Sequence, residues 1–357
     1  MPDHDMEPGH DAWPYLAPRA VSPPAPGPRP SFSVVIATHQ AEATVGDAIR
    51  SALAQTVPAL EVVVCDDGST DGTAEVLAGF DERVVVMRQP NGGEGAAKNA
   101  AVRAARGEYV AVLDADDVFL PRRLEAIGWL AAQRPDLDVI TTNAYVEAGG
   151  RTVRHAYHPG WTFEVDDQRA AILRRNFVLG LVAVRRERWL AAGGFDEGLA
   201  HAADWEFWQR LVLSGSRVGL LDQPLARYRL GGGSLSSDRV RLVRARLTVL
   251  HRAASRDDLT QRERQVVAAS ARQQERELAV RLADAALDRG GWEARRRAGA
   301  LLLVGGVPLR TRAGAAVAMA APGLASRRRR RRAGGTTEIG SGLRVDLTSA
   351  LGGDGGR

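Results

Sequence analysis

A chain of 357 residues with 45% apolar and 25% charged residues has the make-up of one large or two modest globular domains, not of a fibrous or wholly disordered protein. Its net charge is +5, and because Lys98 is the only lysine among 48 basic residues, arginine abundance reads as a codon preference and argues little for nucleic acid. The single cysteine, Cys65, excludes an intrachain disulfide and fits a reducing compartment.

Residues 1–30 carry nine of the 17 prolines and no apolar periodicity, which predicts a disordered leader. They lack the apolar core of a secretory signal, and no stretch reaches the ~18 apolar residues of a spanning helix. Order is expected from Phe32. Phe32–Ala37 reads as a buried strand, and Val45, Ile49, Ala52 and Leu53 then mark one face of a helix that stops near Pro58. Leu60–Cys65 is a second strand, and the turn Asp66–Thr73 leads into a helix around Ala74–Leu77. Arg83–Met87 is a third strand, Gly95–Arg106 an Ala-rich helix and Tyr109–Leu113 a fourth strand. Pro121 opens another helix in its first turn, and Val139–Ala144 is a strand. Beyond Asn143 the elements shorten, with Phe177–Val184 and a helix at Trp205–Leu213. After about residue 235 the chain reads as helical and polar, and its last 25 residues as Gly-rich and disordered.

Near-continuously apolar strands separated by helices imply a parallel sheet covered on both faces. Ligands of such sheets bind at the carboxyl ends of the strands. Thr38, Asp66/Asp67 and Asp114–Asp117 all fall there. The last group, Asp114-Ala115-Asp116-Asp117, brings three carboxylates into four positions. Their mutual repulsion calls for a cation, and Mg²⁺ or Mn²⁺ commonly bridges a few carboxylates to substrate phosphates. An acidic turn after a strand is the plainer reading of the cluster taken alone. The strand-end Thr38 hydroxyl can hydrogen-bond a base edge or cap the following helix. The lone Lys98, kept where arginine is the default base, marks a position with a site-specific role.

Six blocks, spaced in order from Ser33 to about Ser236, resemble the inverting glycosyltransferases of family 2. They are Val34–Glu42, Val64–Thr73, Asn91–Asn99, Asp114–Asp117, Gly193–Glu197 with His201–Leu211, and Tyr228–Ser236. The resemblance implies an α/β fold of the GT-A (nucleotide-diphospho-sugar transferase) type: a Rossmann-like mixed sheet flanked by helices, here with a helical C-terminal extension. It also implies a nucleotide-sugar site at Thr38, Glu42, Asp67, Gly93, Lys98, Asp114, Ala115 and Asp116. Asp67 would accept from the imide N–H of uracil or thymine, which favours a UDP- or TDP-linked donor. Asp116, with Asp117, would hold Mg²⁺ or Mn²⁺ against the diphosphate, and Asp204 would be the general base. Ser69, Thr70 and Asp71 would shape the turn. Ala37, His39, Gln40, Ala203 and Gly231 depart from the family pattern, as does lysine in place of arginine at position 98. Trp205 and Trp208 share a helix face that suits core packing better than sugar stacking.

Between Arg289 and Gly335 stand 12 arginines and one acid, Glu293, beside a small apolar segment at 298–325. Such an end fits peripheral contact with an anionic membrane, where each basic residue contributes about 1 kcal/mol; a solvated tail is the alternative. Without interleaved aromatics it does not resemble a nucleic-acid site. The expected layout is thus a leader at 1–30, a catalytic domain at 31–236, a helical extension at 237–326 and a basic, Gly-rich tail at 327–357. The expected activity is metal-dependent, inverting transfer from a nucleotide diphosphate sugar to a glycan or lipid-linked acceptor. Its expected place is the cytoplasm, including the inner face of the plasma membrane. Two alternatives stay open: a silent glycan-binding scaffold of the same fold, and a sugar nucleotidyltransferase, which would show a basic Gly-rich loop after the first strand where this chain has Ala37–Glu42.

Overall fold

The computed structural model describes residues 13–19, 27–230, 239–289, 291–303, 309–320, 336–339 and 343–346. The predicted Gly231–Ser236 loop end and the six arginines at 327–332 lie outside the described residues. The chain divides at Gly231 into two units, with Leu173–Arg175 assigned to the second.

The first unit is built on the strands β1 (Tyr15–Leu16), β2 (Phe32–Thr38), β3 (Glu61–Asp66), β4 (Val84–Arg88), β5 (Tyr109–Val112), β6 (Val118–Phe119), β7 (Val139–Ala148), β8 (Arg151–His155), β9 (Val182–Arg185) and β10 (Val218–Arg229). They form one sheet in the order β1-β10-β7-β9-β5-β2-β3-β4, with β6 on β10 and β8 on β7. Strands β2 to β5 run parallel, as the buried apolar runs predict. Strand β9 inserts between β5 and β7 antiparallel to both, and with the antiparallel pairings of β1, β6 and β8 it makes the sheet mixed, as the family resemblance implies and the apolar runs alone do not. Val182-Ala183-Val184 is as apolar as its neighbours, so composition carries no signal of its direction.

The flanking helices are α1 (Val45–Leu53), α2 (Thr73–Ala78), α3 (Glu94–Ala104), α4 (Arg123–Gln133), α5 (Gln168–Arg174), α6 (Arg186–Ala191) and α7 (Ala203–Leu213). Helix α1 buries Val45, Ala48, Ile49 and Ala52, the spacing that lays one stripe on the sheet. Helix α3 packs on β2 and β3 through Ala97, Ala100, Ala101 and Val102, and it also buries Lys98 and Asn99. Cys65 is fully buried in β3, and burial pushes its thiol up to about 11, which keeps it an inert core residue.

At the amino edge of the sheet, buried Glu61 accepts from Ser33 Oγ at 2.8 Å and from Arg106 N at 2.7 Å and Nε at 2.8 Å. Burial raises the Glu61 pKa, but these bonds outweigh it and hold the carboxyl below its ordinary value. Gly107 N donates to Ser33 Oγ at 2.8 Å. Here β5 passes so close to β2 that a Cβ on Gly107 would lie 2.4 Å from the Ser33 nitrogen.

Two expectations are corrected. The leader is not wholly without order: Tyr15–Leu16 pair with β10, Trp13 is buried beneath the Arg122 guanidinium, and Tyr15 meets Trp129 edge-on at 6.0 Å. Proline-rich sequence builds no core of its own, yet these aromatics find one already made. In the expected tail, Thr336–Ile339 (β11) and Leu343–Asp346 (β12) form an antiparallel ribbon. Its alternating β-branched and polar residues outweigh the glycines around them. The second unit otherwise comprises α8 (Arg239–Ala254), α9 (Gln261–Arg289), α10 (Gly291–Leu303) and α11 (Leu309–Ala320). No helix among the described residues is long and apolar enough to cross a membrane.

Gly107→Ala should cost about 3 kcal/mol, since the methyl meets backbone that cannot rotate away. Urea unfolding checks this, and a variant as stable as the parent would show that β2 and β5 are not held in this close register.

Candidate active site

Thr38 pairs with Asp66 across β2 and β3, and Leu113 N donates to Val35 O at 3.0 Å just beyond β5. The carboxyl ends of three parallel strands thus deliver Thr38, Asp66/Asp67 and Asp114–Asp117 to one edge. The Thr38 hydroxyl is buried and makes no hydrogen bond; Thr38 is not a helix cap.

The loops after β2 and β3 are laced together. Gln40 N donates to Ser69 Oγ at 3.0 Å, Ala41 N to Thr73 Oγ1 at 2.9 Å and Glu42 N to Asp71 Oδ2 at 3.2 Å. Thr73 N and Oγ1 donate to Asp71 Oδ1, so the Ser69–Asp71 segment shapes its turn as its residue types suggest. Glu42 Oε2 accepts from Gly72 N at 2.7 Å. Glu42 is therefore a brace between the loops, where the sequence places it against the donor.

Asp67 also differs from expectation. It is 3% exposed, Oδ1 accepts from Gly92 N and Gln89 Nε2, and Oδ2 accepts from Gly93 N, all at 2.8 Å. The carboxylate holds the Gly-rich loop, leaving one lone pair on Oδ2 for anything else. Gly93 has φ +88°, which favours glycine, and no atom lies within 4 Å of where its Cβ would be. Its backbone faces open space at the start of α3, where helix N–H groups attract anions.

Lys98 is 7% exposed and clamped between Glu94 at 2.5 Å and Asp114 at 2.6 Å, with the Phe195 ring 5.8 Å away. Burial opposes its charge, but the two carboxylates prevail and hold the ammonium protonated. The expected free cation is thus already neutralised. Its role in this structure is to orient Asp114 and offset one charge of the cluster.

The turn Asp114–Asp117 closes through Asp117 N donating to Asp114 O at 3.0 Å, with Ala115 at its crest. Asp116 is exposed, yet the surrounding protein and then the Asp114 charge push its carboxyl up to about 6. Asp117 is 1% exposed and is raised further by burial, Asp114 and Asp116. Its Oδ1 accepts from Arg229 N at 2.8 Å, and its Oδ2 is buried without a partner. The Tyr228 phenol is raised as well, by burial and the same three aspartates. The Arg229 side chain turns instead toward Asp47, at 3.4 Å. Among the described residues no group of three or more His, Cys, Asp or Glu is arranged to hold a metal ion unaided. Excess negative charge, a raised Asp116 and an orphaned Asp117 oxygen nevertheless suit a hard divalent cation whose remaining ligands come from a bound diphosphate. Asp116 is the exposed member; Asp117, expected beside it as a ligand, is tied to the end of β10.

Asp204 stands in the first turn of α7 and accepts from Asn176 Nδ2 at 3.0 Å. The preceding Ala202 has φ 55°, a left-handed conformation that non-glycine residues rarely adopt. Helix α7 is seated by Arg210, which bonds Ala192 O and Gly194 O, and by Phe207, 5.0 Å from Phe195. Trp205 and Trp208 are buried, the core reading of that pair.

Several supporting residues have little signal in the sequence. Asn99 Oδ1 accepts from Phe195 N at 2.8 Å and its Nδ2 donates to Phe195 O at 2.9 Å, joining α3 to the Gly193–Glu197 loop. Gln89 and Asn176 serve Asp67 and Asp204. Arg123 is fully buried, donates to Thr142 Oγ1 and Leu181 O, and lies 4.5 Å over Phe119. Burial pulls its pKa down to about 9 against the opposing pull of Asp117. Only its place shortly after the acidic block, two residues beyond Pro121, could have marked it.

The sheet order, flanking helices and acid-bearing strand ends define a GT-A fold. Residues 33–202 match the family model "Glycosyl transferase family 2", the family that the six spaced blocks resemble. It is 33% identical over 187 residues to chondroitin synthase of Pasteurella multocida, covering 51% of this chain and 19% of that protein. It is 28% identical over 215 residues to the putative teichuronic acid biosynthesis glycosyltransferase TuaG of Bacillus subtilis, covering 59% and 83%. The chain thus spans about a fifth of the synthase, whereas it spans most of TuaG. Among solved structures, S. aureus TarS 1-349 in complex with UDP-GlcNAc aligns with a TM-score of 0.56 at 19% identity, over 87% of this chain and 94% of that one. The mannosyltransferase PcManGT of Pyrobaculum calidifontis, in complex with GDP-Man and Mn²⁺, aligns at 0.54 and 21%, over 90% of each. At such identities the likeness establishes the fold.

Two outcomes are expected here. Asp67→Ala leaves three donors without their acceptor and should destabilise the protein by about 2–3 kcal/mol, with faster amide exchange at Gly92 and Gly93. For Asp116, a raised folded-state pKa favours the protonated form, so its ionisation opposes folding increasingly from about pH 4 to pH 6 and fully above that. Asp116→Asn should therefore raise the Tm of metal-free protein at pH 8 and leave it unchanged at pH 3; equal effects at both would contradict this electrostatic reading.

Proposed function

We propose that this chain is a metal-dependent, inverting glycosyltransferase that moves a sugar from a nucleotide diphosphate donor to an acceptor hydroxyl. The observation that carries the reading is the aspartate cluster at the carboxyl end of β5, on the edge where Thr38, Asp67 and the open Gly93 backbone also converge. The match of residues 33–202 to the glycosyltransferase family model supports it, as do fold relatives in complex with UDP-GlcNAc and with GDP-Man and Mn²⁺.

In this reading the loops that follow β2 and β3, with the Gly-rich loop pinned by Asp67, receive the nucleoside, and the amino end of α3 faces the diphosphate. Asp116 would hold Mg²⁺ or Mn²⁺, which when bound would supply Lewis-acid stabilisation of the leaving diphosphate. Asp117 supports the turn from behind, and Lys98 fixes Asp114. Asp204, oriented by Asn176, removes the proton from the acceptor hydroxyl. The freed oxygen attacks the anomeric carbon opposite the leaving group, the carbon–oxygen bond to the diphosphate breaks, and one displacement inverts the configuration. The acceptor is a growing glycan or lipid-linked glycan, in keeping with relatives named for chondroitin synthesis and teichuronic acid biosynthesis. With Asp67 spoken for by its own loop, the base preference for uracil or thymine rests on a single Oδ2 lone pair.

The test combines nucleotide binding and turnover. UDP, TDP, GDP or CDP that binds only the folded state raises stability by RT ln(1 + [L]/Kd). One nucleotide should raise Tm only when Mn²⁺ is present, and Asp116→Ala should abolish that shift. Asp204→Asn should keep the shift and lower transfer by about 10²–10⁴-fold. A folded protein that responds to no nucleotide with Mn²⁺ would favour the silent scaffold.

A further inference from the structure

The second unit carries a surface unrelated to the strand-end site. Helix α10 buries Ala298 (1% exposed) and Leu301 (4%) in a cluster with Ala283 of α9 and Ala315 of α11. The opposite side of α10 is exposed and bears Trp292, Arg295, Arg296 and Ala300. Trp292 is 77% exposed, whereas Trp13, Trp161, Trp189, Trp205 and Trp208 are buried. At spacings of three and four residues, Trp292, Arg295 and Arg296 lie together on one helix face.

Helix α11 extends this surface. Ala313, Ala316, Met319 and Ala320 are exposed, so the water-facing side of the helix carries an apolar row where a solvated helix would carry charges. Met319 Sδ would lie 3.5 Å from a Cβ on Gly299, which puts this row alongside the Trp292 face. An exposed indole, a thioether and a row of small apolar residues are thus bordered by two guanidinium groups. The surrounding sequence is one-signed, with 12 arginines against one acid between residues 289 and 335.

We infer that the exposed α10–α11 face docks on a membrane surface rich in anionic lipid headgroups. Indole rings settle at the headgroup level of a bilayer, where an apolar body and a polar N–H are both accommodated. Arginines beside the ring meet lipid phosphates in bidentate geometry, and the apolar row enters the acyl boundary without spanning it. Charge complementarity selects the occupant: a neutral apolar partner leaves the arginines unanswered, and a nucleic acid leaves the α11 row in water. This surface makes no use of the transfer chemistry, so its test stands apart from that of the activity.

The experiment is co-sedimentation of the full chain with vesicles of phosphatidylcholine alone and with added phosphatidylglycerol, at low and at 0.5 M salt. Binding should require phosphatidylglycerol and weaken in salt. Trp292→Ala should lower partitioning about tenfold, and the double variant R295E/R296E at least 25-fold, taking roughly fivefold per basic residue. Both should keep the parent Tm and its nucleotide response. Serine at each of positions 327–332 should leave the effect of Trp292→Ala intact, which separates the helix face from the arginine run. Equal binding to neutral vesicles, no binding, or binding indifferent to the α10 variants would overturn the inference. So would the same variants abolishing self-association or oligonucleotide binding in place of lipid binding.

Discussion

Like charges at the end of a strand are the constraint around which the first unit is arranged. Asp114, Asp116 and Asp117 leave β5 within four positions, and the single lysine of the chain is buried against the first of them. Lys98 is itself shared with Glu94, so it offsets only part of the charge. Burial first, and then the remaining negative charge, raise the Asp116 and Asp117 carboxyls and the Tyr228 phenol. Such a cluster is stable while some of its protons stay on or a cation shares it. A site that binds a metal together with a diphosphate requires this condition before its ligands arrive.

Around the cluster, groups that the sequence offers as ligands act as supports. Asp67 gathers the Gly92–Gly93 amides, Glu42 braces the turn before α2, and Asp117 fastens the end of β10. Each is a carboxylate bound to backbone N–H groups, and such charge-assisted bonds stiffen loops that connect otherwise separate strands. Order at this edge is therefore bought with the same residue type that gives it its charge. What remains open to a ligand is small: the amino end of α3, the Asp116 carboxylate and the first turn of α7.

The elements up to residue 144 were legible because each buried strand is a run of Val, Ile or Ala and each helix carries a stripe at helical spacing. The apolar runs alone implied a parallel sheet, and they carried no signal of the antiparallel strands β1, β6, β8 and β9; the Val-Ala-Val of β9 suits either direction. Trp13 and Tyr15 were lost in a proline-rich background, because composition describes a segment and two aromatics suffice to dock it. The strand-end acids were visible as a cluster. Their partners Gln89, Asn99, Arg123 and Asn176 were not, since a neutral amide or one more arginine in an arginine-rich chain has nothing to mark it until a neighbour distant in sequence appears.

The amino-acid sequence by itself determined the class of fold, the strand ends that carry acids and the family that the chain resembles, because periodicity and short spaced motifs are local properties. Tertiary structure decided the roles. It showed that Asp67, Glu42 and Asp117 are engaged by backbone N–H groups, that Lys98 is neutralised between two acids, and that Ala202 enters α7 through a left-handed turn one residue before Ala203 and Asp204. Whether a carboxylate faces a ligand or a loop depends on which donors the fold brings within 3 Å, and those donors lie up to 112 residues away in the chain.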